Sequence, residues 1–143
     1  MQQKKPLHVT HIIPALPFGG AERFVVDLIN HASGDDLRFS VVTLSNNNPL
    51  AGDIRVRHTP VIALHKRGQL SLHLFADIKK ELQKLRPDIV HTHLFGGDLW
   101  GGIAAHRLGI PVISTEHHVG SSESFVHQHV KAATRYTTKR FVA

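Results

Sequence analysis

Short, mainly apolar runs alternate with amphipathic ones along this chain, and that alternation constrains the fold more than any other feature. LHVTHII (7–13), LRFSVVTL (37–44), VIAL (61–64), DIVHTH (88–93) and VIST (112–115) have the length and β-branched content of strands. Between them lie helical stripes. Phe24, Val25, Leu28, Ile29 and Ala32 share one face of a helix over 20–32. Over 70–85, Leu74, Phe75, Ile78, Leu82 and Leu85 line one face, while Lys79, Lys80, Glu81 and Lys84 take the other. A Gly-Gly turn is expected to lead into a third helix over 98–108, a fourth helix is expected over 123–138, and KRFVA reads as a sixth strand beginning. Strands that are apolar on both faces belong in a parallel sheet covered on both sides. The expected fold is therefore α/β: one Rossmann-like, doubly wound parallel sheet over 1–143. A chain that stops inside a strand is expected to be a piece of a longer protein.

Composition narrows the function. No run of about 18 apolar residues is present, so no membrane-spanning helix is expected. The segment before Pro14 is too short and polar for a secretory signal. With no cysteine, disulfides and thiolate metal sites are excluded. The expected location is cytoplasmic, with peripheral contact at the inner face of a membrane left open. A net charge of +6 and a pI near 10.1 suit phosphate groups or anionic lipid heads. Aromatic residues make up only 6% and do not interleave with basic ones, which argues against nucleic acid as a partner.

Doubly wound sheets bind ligands beyond the carboxyl ends of their strands. That rule selects three segments: Pro14–Gly20, His93–Asp98 and His117–Ser122, all rich in Gly, His or Ser. Gly19 and Gly20 stand where a strand hands over to a helix, so backbone amides can approach a ligand closely. An ordinary tight turn explains them equally well, because neither GxGxxG nor a P-loop lysine is present. His91 and His93, at i and i+2 of a strand, share a face. They could bind zinc together with His117, His118, Glu116 or Asp98, or simply bond to neighbouring loops. His117 directly follows a strand, and its titration range suits proton transfer or hydroxyl recognition, with Glu116 beside it to tune it. His31, His65, His73, His106, His127 and His129 read as solvated, and Trp100 as core.

The segments GGAER (19–23), RPDIVHTH (86–93) and GIPVISTEHH (109–118), in that order, resemble the N-terminal domain of GT-B glycosyltransferases, and most closely the retaining family 4. The resemblance implies an acceptor-side domain that faces a donor-binding domain across a cleft. The donor would be a UDP- or GDP-sugar and the acceptor a carbohydrate or a lipid-linked sugar, as in lipopolysaccharide, capsule or glycolipid synthesis. It implies no metal ion or other cofactor. It matches Gly19 and Gly20 to a glycine loop near the donor phosphates, His91 and His93 to a strand by the cleft, and His117 to a catalytic-site histidine by the reacting sugar. Glu22 belongs to the matched motif. Retaining transfer of this kind can use the leaving phosphate itself to take the acceptor's proton. The donor half, with its paired glutamates and basic phosphate clamp, is missing from these residues, so this chain by itself is expected to be inactive. Lys79, Lys80, Lys84 and Arg86 are a candidate membrane-facing surface. Two other readings stay open: a non-catalytic binding module or split-enzyme subunit, and a metal-dependent hydrolase built on His91 and His93.

Overall fold

The computed structural model describes residues 5–32, 34–65, 72–115 and 117. Five strands form one parallel sheet: β1 (Leu7–Ile13), β2 (Leu37–Thr43), β3 (Val61–Ala63), β4 (Ile89–His93) and β5 (Val112–Thr115). Their order across the sheet is β3-β2-β1-β4-β5. The order reverses at β1, so the chain winds first one way and then the other from the central strand. This is the doubly wound, Rossmann-like α/β fold, and its crevice opens at the carboxyl ends of β1 and β4. Each strand lies within a residue or so of its expected bounds, and in the central strands β1, β2 and β4 burial on both faces leaves a nearly continuous apolar signature.

Both faces are covered. On one, α1 (Gly20–Ala32) lays Val25, Val26 and Ile29 over Ile13, Phe39 and Val41. A 3-10 turn, Pro49–Asp53, closes that core with Leu50. Leu50 is the large apolar residue of this Pro/Gly segment, and it is buried. Its backbone N–H donates to the Leu16 carbonyl at 3.1 Å. On the other face, α2 (Leu72–Leu85) buries Leu74, Ile78 and Leu82 against Ile12, Val42, Leu44 and Val90. Trp100 packs at the edge of the same cluster, as core.

The third helix departs from expectation. No Gly-Gly turn precedes it: the chain passes from His93 straight into Leu94–Gly96, then a π-helical turn over Gly97–Gly101, then Gly102–Arg107. These three consecutive segments are called α3 here. Gly96, Gly101 and their neighbours hold ordinary right-handed helical angles, and Leu94, with φ 58°, makes the bend instead. The glycines serve close approach rather than a turn. Gly97 and Gly101 both lie directly against Ile12 of β1, where a side chain would intrude. The expected fourth helix and sixth strand lie outside the described residues.

Candidate functional site

The site is built from β1 outward. In this parallel sheet His11 of β1 is paired in register with His91 of β4, and His91 with Ile113 of β5. Paired residues share a face, and so do i and i+2. His11, His91 and His93 therefore project together on the side that α1 covers. The rings lie close together: His91 and His93 have centroids 4.1 Å apart, His11 and His91 5.0 Å, His11 and His93 5.2 Å. His117, two residues past the end of β5, joins from outside, 5.4 Å from His93.

Hydrogen bonds order the rings. His11 Nδ1 lies 2.9 Å from His93 Nε2, and His93 Nδ1 lies 3.2 Å from His117 Nε2. His91 Nε2 is 2.7 Å from the Thr115 hydroxyl. His11 and His93 are buried, while His91 and His117 are half-buried. Among the described residues, His11 Nε2 has no partner. Burial dominates the acid–base behaviour. It pushes His11 down to about 3 and His91 to about 4, and neighbouring imidazoles add to both shifts. Burial, followed by His91, His11 and His117, lowers His93 to about 2. At neutral pH these three rings are uncharged.

The other wall is the start of α1. The Gly19 carbonyl accepts from the Arg23 N–H at 2.9 Å, which makes Gly19 the N-cap. Glu22 sits at the third helical position, where a carboxylate favours the positive end of the helix dipole. It folds back over Gly19, and a Cβ on that residue would collide with its Oε2. Phe24, one turn on, meets His117 edge-on at 5.4 Å. The glycine turn and the histidine array thus adjoin at the carboxyl edge of the sheet. Phe18, just before the glycines, is 82% exposed.

Of the residues singled out from sequence, Gly19, Gly20, Glu22, His91, His93 and His117 converge here, whereas Glu116 lies outside the described residues. The sequence reading missed His11. Its signal was a second polar ring, after His8, in an otherwise largely apolar strand, but only the register shows that His91 lies beside it. His31, His65, His73 and His106 are exposed, as expected.

Three ring nitrogens from His11, His91 and His93 lie within 4.8 Å of one another, which is close enough to invite a divalent cation. Two nitrogens bound tetrahedrally to zinc stand roughly 3.3 Å apart, given bonds of about 2.0–2.1 Å. The 2.9 Å between His11 and His93 is instead a hydrogen-bond distance. Holding a metal would require that bond to break.

Lys79, Lys80, Lys84 and Arg86 fall in the second half of α2 or just after it, so they sit toward the amino edge of the sheet, away from the histidines. Lys84 is paired with Glu81 at 2.6 Å. No helix among the described residues is long and apolar enough to cross a membrane.

Known proteins share this architecture. MurG from Acinetobacter baumannii superposes with a TM-score of 0.69 at 18% identity, over 94% of this chain and 40% of that one. Anabaena Alr3699/HepE, solved in complex with UDP and glucose, gives 0.68 at 18% identity, over 94% of this chain and 36% of that one. UDP-N-acetylglucosamine 2-epimerase from Rickettsia bellii gives 0.60 at 15% identity, over 93% and 37%. The chain therefore spans about two-fifths of the length of these proteins. At such identities the likeness establishes the fold alone, and an epimerase is among the proteins that share it. No curated protein sequence gives a significant match. The family profile that matches residues 18–143 is more specific: by it, the chain belongs to Glycosyltransferase Family 4.

Proposed function

We propose that this chain is the acceptor-side, N-terminal half of a retaining GT-B glycosyltransferase, and that the full-length protein transfers a sugar from a UDP- or GDP-sugar to an acceptor hydroxyl. The acceptor would be a carbohydrate or a lipid-linked sugar in the synthesis of cell-surface polysaccharide, lipopolysaccharide or glycolipid. One observation carries the reading. His117 meets Phe24, one turn into α1, and His93 of β4 at the carboxyl edge of the sheet, where a doubly wound fold receives its ligand. The complex of HepE with UDP and glucose supports a nucleotide-sugar donor by analogy.

In this reading the Gly19–Gly20 backbone and the amino end of α1 form one wall of the cleft and favour negative charge on the leaving diphosphate. Glu22 already occupies part of that field, so most of the cationic stabilisation falls to a donor-binding half. His117 hydrogen-bonds the donor sugar or the acceptor and holds it in reacting geometry. His93 is fully buried, so its part in binding runs through His117. The Lys79, Lys80, Lys84 and Arg86 surface would meet an anionic membrane. Sedimentation with liposomes that contain or lack anionic lipid tests that contact.

The test of the activity is turnover by the full-length protein with a panel of UDP- and GDP-sugars, read by NMR for the anomeric configuration of the product. Release of nucleoside diphosphate with a retained anomer supports the proposal. No transfer to any hydroxyl acceptor, with the protein folded, sinks it.

A further inference from the structure

The transferase reading uses His117, reaches the buried His93 only through it, and leaves the buried His11 without a task. Burying two neutral imidazoles in contact, with a third half-buried beside them, is an expensive way to fill a core, since each ring has two polar nitrogens to satisfy. Their hydrogen bonds run in series: His11 Nδ1 to His93 Nε2, then His93 Nδ1 to His117 Nε2. A neutral imidazole carries one N–H and one bare nitrogen. The choice made at the inner end therefore propagates to the outer one.

The inner end decides the direction. If the chain donated inward, His11 would accept at Nδ1 and carry its proton on Nε2. That N–H would be buried with no acceptor among the described residues. A buried donor without a partner costs about 1–3 kcal/mol, and orphaned N–H groups are rarer than underused acceptors. If the chain donates outward, His11 Nδ1–H is used, His93 Nδ1–H is used, and only a bare nitrogen on His11 goes unpartnered. His117 then accepts at Nε2 and keeps its proton on Nδ1.

We infer that His11 and His93 are positioning residues that fix His117 as its Nδ1–H tautomer, so that His117 meets its ligand as a hydrogen-bond donor and not as a base. The functional meaning rests on the transferase reading, whereas the tautomers are a property of the fold. A ring held this way polarises or anchors an oxygen of the sugar, the acceptor or a phosphate. It leaves the proton of the acceptor hydroxyl to be taken elsewhere, by an oxygen of the departing phosphate.

The experiment is long-range ¹H–¹⁵N correlation spectroscopy of the full-length protein, labelled with ¹⁵N in histidine, at pH 7.5. The two-bond couplings of each ring tell a protonated nitrogen from a bare one. His11, His93 and His117 should all be protonated on Nδ1, and His117 protonated on Nε2 overturns the inference. His11→Phe keeps a ring in place but removes the donor. It should give a mixture of His117 tautomers and lower kcat roughly tenfold, with the donor KM within about twofold. His11→Asn, whose amide N–H can stand where Nδ1–H stood, should restore both. A His11→Phe protein with the wild-type spectrum and kcat also overturns the inference. If His11→Phe does not fold, the wild-type and His11→Asn spectra still decide. Tautomers as expected in a protein that turns over no nucleotide sugar would leave this inference standing and remove the transferase reading.

Discussion

A side chain on Gly97 would place its Cβ 2.6 Å from the carbonyl oxygen of Ile12. The neighbour is backbone of the central strand, so it cannot swing aside. Gly97→Ala should therefore destabilise the protein by about 1–3 kcal/mol, as overpacking does, read as a lower urea midpoint at unchanged slope. Gly102 is the control. It is in the same helix with nothing within 4 Å of a built Cβ. Gly102→Ala should be neutral or stabilising by up to about 1 kcal/mol, the usual helix preference of Ala over Gly. Equal effects at both positions would refute the close-approach account.

The second prediction concerns acid. His11, His91 and His93 have folded pKa values of about 3, 4 and 2, below the ordinary 6.5. Between 6.5 and those values the unfolded chain binds more protons than the folded one, so stability falls as pH drops below 6.5. It goes on falling until the rings protonate in the fold, His91 first. Each ring contributes a slope approaching about 1.4 kcal/mol per pH unit. From pH 7.5 to 5.5 the three together should remove about 4 kcal/mol in urea titrations. His91→Phe should flatten the profile by about a third, and a variant profile as steep as the parent's would show that the array is not its cause.

A third prediction lies on the opposite face. Arg38 Nη2 donates to His8 Nδ1 at 2.8 Å, which puts the His8 proton on Nε2. That N–H donates to Ser40 Oγ at 3.0 Å, and Ser40 also bonds Thr10 Oγ1 at 2.7 Å. His8, Thr10 and Ser40 are all buried. Ser40→Ala leaves the His8 donor unsatisfied and should cost about 1–3 kcal/mol. A loss under about 0.5 kcal/mol in chemical unfolding would mean that water replaces the hydroxyl.

The fourth is catalytic. His117→Ala in the full-length protein should lower turnover on the order of 10²-fold, with the circular dichroism spectrum unchanged. Near-normal turnover would remove His117 from the site.

Metal analysis supplies the fifth. The full-length protein, purified without chelator, should carry far less than one equivalent of zinc. Stoichiometric zinc lost on His91→Phe would favour the hydrolase reading instead.

The central strands were legible because both of their faces are largely buried, so apolar continuity marked them, whereas the partly exposed edge strands β3 and β5 were marked by β-branched content and the prolines before them. Residues of α2 declared themselves by stripe, whereas in α1 the expected stripe holds at Val25 and Ile29 but fails at Phe24, which is exposed, and at Val26, which is buried outside it. What stayed hidden depends on register. His11 and His91 are 80 positions apart in sequence, and nothing in either segment says that they lie side by side. The Gly96–Gly97 pair read as a turn because turns are where glycine is most common. Its use as a seat for α3 against β1 is a tertiary contact, and composition cannot record it. Gly19 and Gly20 were read at the start of α1, but the Glu22 carboxylate folded over Gly19 follows from helix electrostatics that only the capped turn displays.

The bend at Leu94 leaves no loop between β4 and α3. His93 is therefore clamped at both ends, by the sheet ladder before it and by the helix after it. A ring mounted this way has little slack with which to follow a ligand. If a second domain closes over this edge during turnover, the histidine array is the anvil and the other half is the hammer. Adaptation to differently shaped acceptors would then have to come from segments that are not hung on the sheet.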